Sequence, residues 1–193
     1  MTYTVIARCG HTGQLGIGIA TYSLAVGGYC PAIRGGLGAV STQAFVNLKL
    51  GNLALRLMDL GYSPDKVMSE LAADDPQFSY RQVGIVNAEN ETVVHTGSNT
   101  RSWSGHLTGA GYIVMGNVLK GEEVMEAMAE AFEKKEEAEK AEKKRIAEEE
   151  RAERQRKAEE EKAKRDEAER LEKLAEENKE EYAKQMAEKA AAE

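Results

Sequence analysis

All 18 glycines and all three prolines fall at or before Gly121, and no helix breaker follows it. Up to Gly121 the chain carries 8 basic and 7 acidic residues; beyond it, 18 and 26. The two parts therefore obey different physics. The first has turn formers, near-zero net charge and enough apolar residues for one real core. The second, from Glu122 to Glu193, is highly charged, is nearly all Glu, Lys, Arg and Ala from Glu133 to Glu188, and reads as a single long charged helix. We divide the chain into an α+β domain at 1–121 and a helical tail at 122–193. The sequence pI of about 5.2 belongs to the tail and says nothing about chemistry in the domain.

At ~1.5 Å per residue the tail would form a rod of roughly 100 Å. Nine acid-before-base pairs four residues apart support it: Glu136–Lys140, Glu139–Lys143, Glu150–Arg154, Glu153–Lys157, Glu160–Lys164, Glu161–Arg165, Asp166–Arg170, Glu169–Lys173 and Glu180–Lys184. At about 0.3–0.5 kcal/mol each they contribute ~3–4 kcal/mol, which can hold a solvated helix. Ala147, Ala152, Ala158, Ala163 and Ala168 step by five or six residues and fall on opposite faces. A coiled coil needs a sustained apolar seam, which this spacing lacks. A single solvated helix is expected, with weak association confined to the region of Leu171, Leu174, Tyr182 and Met186.

The domain opens on two short β-prone runs, Met1–Arg8 and Leu15–Thr21, with turn residues Gly10–Gln14 between them. They form a β-hairpin at the N-terminus. A terminus spent on a core strand is held in a fixed place. Removal of Met1, usual before a small residue, would leave Thr2 with a hydroxyl and a free α-amine. That is the nucleophile-plus-base pair of one mode of covalent catalysis. On the residues alone, Thr2 as the plain first residue of an edge strand is the stronger reading.

After the turn-rich link Gly27–Pro31, Arg34–Phe45 reads as one glycine-rich strand, where glycines mark bulges or close backbone approach. Gly16-x-Gly18 and Gly36-x-Gly38 lack the third glycine and following helix of a phosphate loop. Leu48–Leu60 is a helix with Leu50, Leu53, Ala54, Leu57 and Met58 on one face, stopped at Gly61. Ser63 caps a second helix with Pro64 at its first position and Val67, Met68, Leu71 and Ala72 inward, ending at Asp74–Pro76. Strands resume at Arg81–Val86 and Thr92–Thr96 and again at Gly111–Asn117. Strands, two helices, strands and a helix give a layered αββα pattern, with the helical pair lying on a sheet.

The segment Gly97–Gly109 reads as a polar loop. It gathers Arg101, Trp103 and His106, a set suited to a substrate-binding pocket wall, or to a surface loop pinned by a half-buried tryptophan. His95, in a strand of alternating type, reads as a satisfied structural residue. Two cysteines and no charged-then-apolar leader point to a reducing, cytoplasmic setting. No run approaches the ~18 apolar residues of a membrane span. Cys9-Gly10-His11 lacks paired ligand spacing, so neither metal nor cofactor is expected. Basic residues interleaved with more numerous acids disfavour nucleic acid.

Several segments together resemble one family: Met1–Arg8, Ala39–Asn47, Tyr80–Gly84, Thr96-Gly97-Ser98, and Met115–Leu119 with the helix Glu123–Phe132. It is the domain-of-unknown-function family 1028, which is similar to the N-terminal-nucleophile (Ntn) hydrolases, and the likeness covers about residues 2–132. The resemblance implies an αββα sandwich and cleavage of an amide bond, with Thr2 as nucleophile and its α-amine as base. Arg34 would then be the cation lowering the amine's pKa, and Asn117 with backbone N–H groups near Gly36 or Gly116 would hold the oxyanion. The substrate would be a small molecule or peptide. Family members are expected to continue past the Phe132 helix with further strands, which this chain lacks. The sandwich should therefore be incomplete, with an open sheet edge that a second copy of the chain could cover. The alternative to an amidohydrolase is a non-catalytic scaffold with a helical spacer.

Overall fold

The computed structural model describes residues 1–191, and the side chains of all of these except 181–183 and 185–191. Eight strands and three α-helices follow in the order β1 (Thr2–Arg8), β2 (Leu15–Thr21), β3 (Pro31–Arg34), β4 (Gly38–Ala44), α1 (Leu48–Asp59), α2 (Pro64–Asp74), β5 (Arg81–Asn87), β6 (Thr92–Thr96), β7 (Ser104–Gly109), β8 (Tyr112–Asn117) and α3 (Glu123–Ala191). The strands form two four-stranded sheets, ordered β2-β1-β8-β7 and β3-β4-β5-β6, with every pairing antiparallel. The fold class is α+β.

Side-chain alternation along the strands makes the layers. Ile6, Ala39, Val86, Ile113 and Met115 turn inward between the two sheets. The opposite face of the second sheet offers Val40, Val83 and Ile85 to Leu50, Ala54, Met58, Val67 and Leu71 of α1 and α2. The opposite face of the first sheet offers Tyr112 and Val114, with Tyr3 and Val5, to Met125, Met128 and Phe132 at the start of α3. Helices, sheet, sheet and helix thus stack as αββα. The sheets approach closely where Gly84 faces Ile6, since a Cβ on Gly84 would lie 2.8 Å from Ile6 Cδ1.

Both helix starts follow their caps: the Asn47 side chain accepts from the Lys49 N–H, and Ser63 Oγ from the Lys66 N–H, with Pro64 opening α2. Three local expectations change. Arg34–Phe45 is not one strand but the end of β3, a turn and β4; Gly36 at φ +73° and the Leu37 N–H to Arg34 C=O bond close the turn. The segment read as a loop to Gly109 becomes β7 from Ser104 onward, an edge strand whose Gly105 and Gly109 hide its β signal. Ala72 points to solvent, and the inner face of α2 rests on Val67 and Leu71.

The chain forms two compact units, Met1–Lys135 and Glu136 onward. The first takes in the opening turns of α3 because Met125, Met128 and Phe132 pack on the sheet. In the second, Glu150–Arg154, Glu153–Lys157, Glu160–Lys164 and Glu169–Lys173 form as expected from their spacing. Arg145 also reaches both Glu142 and Glu149. Ile146, Leu171 and Leu174 are exposed, whereas the side chains of Tyr182 and Met186 lie outside the described residues.

Candidate functional site

The start of β1, the ends of β2, β4 and β8 and the segment before β7 converge on a cleft of about 140 Å³. Met1, Thr2, Tyr22, Ser23, Ala44, Phe45, Arg101, Asn117 and Val118 line it. Register explains the gathering, because Thr2 pairs with Thr21 on one side and with Asn117 on the other. The Thr2 and Thr21 hydroxyl oxygens are 3.0 Å apart, and Thr21 donates to the Met1 carbonyl at 3.0 Å. With that proton committed, the Thr2 hydroxyl is the donor to Thr21.

Beneath the cleft lies a buried polar network joining the two sheets. Thr4 donates to Gln43 Oε1, and Gln43 Nε2 donates to Gln82 Oε1 at 2.7 Å. Gln82 Oε1 also accepts from Asn117 Nδ2 at 3.2 Å. Gln82 Nε2 reaches Thr96 Oγ1 at 2.9 Å, the Gly105 carbonyl at 3.0 Å and the Gly116 carbonyl at 2.9 Å. Gln43 and Gln82 are almost wholly buried, so each amide must be satisfied inside the protein. Thr96 Oγ1, which accepts from Gln82, also lies within hydrogen-bond distance of His106 Nδ1 at 2.8 Å. Burial, then the charge of His95, holds His106 below its ordinary pKa.

The site residues expected from sequence divide clearly. Thr2, Asn117 and Arg101 share the cleft. Trp103 turns to the opposite face of the first sheet, beside Tyr112, Val114 and Met125. His106 sits on the β7 edge strand and reaches the cleft only through Thr96 and Gln82. Arg34 pairs with Gly38 at the far end of β4 from Ala44, about 20 Å along the strand. It is exposed and ion-paired with Asp59 at 2.9 Å, and Gly36 lies in the turn beside it, so neither joins Thr2. His95 is satisfied as expected, bonded to the Phe78 carbonyl and stacked on its ring. Sequence reasoning missed Thr21, Phe45, Gln43 and Gln82. For Thr21 the signal was present, since pairing Arg8 with Leu15 sets it opposite Thr2.

Two cleft residues other than glycine adopt left-handed backbone: Ala44 at φ 70° and Val118 at φ 56°. Such conformations persist where the surroundings over-determine them, often at functional sites. Among the described residues no group of three or more His, Cys, Asp or Glu could hold a metal ion. Burial pushes the Cys30 thiol up to about 11, which keeps it protonated and unreactive. Among the described residues no helix is long and apolar enough to cross a membrane.

Comparison with known proteins gives a family-model match over residues 2–152, described as "Family of unknown function (DUF1028)". The match runs past the resemblance read from the motifs, continuing along α3 beyond Phe132. The chain is also similar to the crystal structure of protein SPO2555 from Silicibacter pomeroyi, assigned to the same family model, at 30% sequence identity and a TM-score of 0.65. The similarity covers 68% of this chain and 61% of that one, so the chain spans less than two thirds of its relative. No curated protein matches.

Proposed function

The chain belongs to the DUF1028 family, and from that premise we propose that it is an amidohydrolase whose nucleophile is Thr2, active once Met1 is removed. One observation carries the reading: Thr2 faces a cleft with its hydroxyl hydrogen-bonded to Thr21, on a strand pinned between β2 and β8. Loss of Met1 turns the Thr2 backbone nitrogen into an amine on the same residue as the hydroxyl. It also frees the Thr21 proton from the Met1 carbonyl to donate to Thr2 Oγ1.

In the reaction the Thr2 oxygen attacks the amide carbon and the α-amine takes the hydroxyl proton. The C–N bond breaks, the leaving amine takes that proton, and an acyl ester remains on Thr2. Water, deprotonated by the same amine, then releases the acid and restores the hydroxyl. Asn117, fixed by Gln82 through one N–H, has a second N–H to offer the developing oxyanion. Arg34 and Gly36 take no part in this scheme, being at the other end of β4.

The test needs no knowledge of the substrate. A β-lactone probe, opened by a nucleophilic hydroxyl, should add its full mass to the Thr2 peptide of the processed protein. Thr2→Ala should take up none, and Thr2→Ser should retain labelling. A purified protein that keeps Met1, or an adduct that persists in Thr2→Ala, ends the reading.

A further inference from the structure

We infer that Arg101 forms a carboxylate subsite beside Thr2, so that the chain takes small N-acyl amino acids rather than neutral amides; this rests on the reading of Thr2 as nucleophile. Arg101 carries the only charged side chain among the residues lining the cleft, and no acidic side chain lines it. Among the described residues no carboxylate partners it, whereas Arg34 is paired with Asp59 and Arg81 with Asp75. An arginine left without a partner at the mouth of a cleft is open to an anion from solution.

Its place is nonetheless fixed at both ends. The Val118 N–H donates to the Arg101 carbonyl at 3.2 Å, and Val118 directly follows Asn117, the register partner of Thr2. At the other end the guanidinium carbon sits 5.3 Å from the centre of the Phe45 ring. Among the described residues this ring contact alone holds the guanidinium, and its fork of N–H groups matches a carboxylate in a bidentate pair. Tyr22, Phe45 and Val118 supply apolar wall on the same cleft. An amide carbonyl at Thr2, an apolar side chain against that wall and a carboxylate on Arg101 describe an N-acylated amino acid.

The full chain in a Thr2→Ala background, which binds without turnover, tests this by calorimetry. N-acetyl-leucine and N-acetyl-phenylalanine are each compared with the corresponding carboxamide. The carboxylates should bind at least about tenfold more tightly, as a charge-assisted pair provides. Arg101→Gln should abolish the difference, and Arg101→Lys should restore part of it. Equal binding, no binding of either carboxylate, or a preference that survives Arg101→Gln overturns the inference. The comparison of carboxylate with carboxamide decides even if Arg101→Gln does not fold. Carboxylate-selective binding without a β-lactone adduct on Thr2 would retire the hydrolase reading and leave the subsite. An adduct with equal binding would do the reverse.

Discussion

Val118 is a β-branched residue at φ 56°, where an L side chain crowds its own backbone at a cost of ~1–2 kcal/mol. Its N–H bond to the Arg101 carbonyl and its wall in the cleft account for keeping it there. Val118→Gly removes the crowding but adds about 0.5–1 kcal/mol of backbone entropy, so a net gain near ~1 kcal/mol is expected in urea unfolding. A loss would mean that the turn carries no strain. Gln82 argues in the opposite sense. Gln82→Leu strips the acceptor of Gln43 and Asn117 and the donor of the Gly116 carbonyl together. Orphaned buried groups cost ~1–3 kcal/mol each and share relaxation, so a loss of about 2–4 kcal/mol is expected. A stability change within ~0.5 kcal/mol would show that water satisfies the network. None of this was legible at the residue scale, because a glutamine in a strand carries no mark of facing a second sheet.

Among elements, the end of α2 is tied to the start of β5 by Asp75 and Arg81, 2.9 Å apart and both nearly buried. Arg81 also donates to the Phe45 carbonyl, so the ion pair anchors the segment that walls the cleft. The hydrogen bond from Arg81 is the main cause holding the Asp75 carboxyl at about 2, from an ordinary 3.8. Burial works against it, and the Asn47 amide and the Gln77 N–H add to it. A carboxyl lowered on folding stabilises the fold above its unfolded value, and that contribution, about 2 kcal/mol, is lost as pH falls from near 4 through 2. Asp75→Asn should cost ~3 kcal/mol at neutral pH by stranding Arg81, with the gap to wild type closing below pH 3. A gap constant with pH would count against the pair. What sequence could read at this scale followed local physics. The cap at Ser63, the stop at Gly61 and the first hairpin are all written in neighbouring residues. The strand β7 was not, because two glycines and a polar alternation look like a loop until β8 is placed beside them. Arg34 was assigned by the family resemblance and not by the strand pattern, and its pairing with Gly38 sets it at the far end of β4 from the cleft.

For the whole molecule, composition divides the chain at Gly121, while packing keeps the helix with the domain as far as Lys135. The two units are held by different forces. The first rests on three apolar clusters between layers, which give a cooperative transition. The second rests on ion pairs along one helix, each worth ~0.3–0.5 kcal/mol and exposed to salt. The single tryptophan, Trp103, is half-buried within the first unit and reports on that unit by itself. On heating, its fluorescence should change in one sharp step, while ellipticity at 222 nm also falls over a broad range below that step. Near 1 M salt the Debye length shrinks to about 3 Å, so the broad part should weaken while the Trp103 midpoint stays put. If both signals moved together through one transition, and salt shifted them equally, the helix beyond Lys135 would have to be stabilised by the domain or by another copy of itself rather than by its own charges.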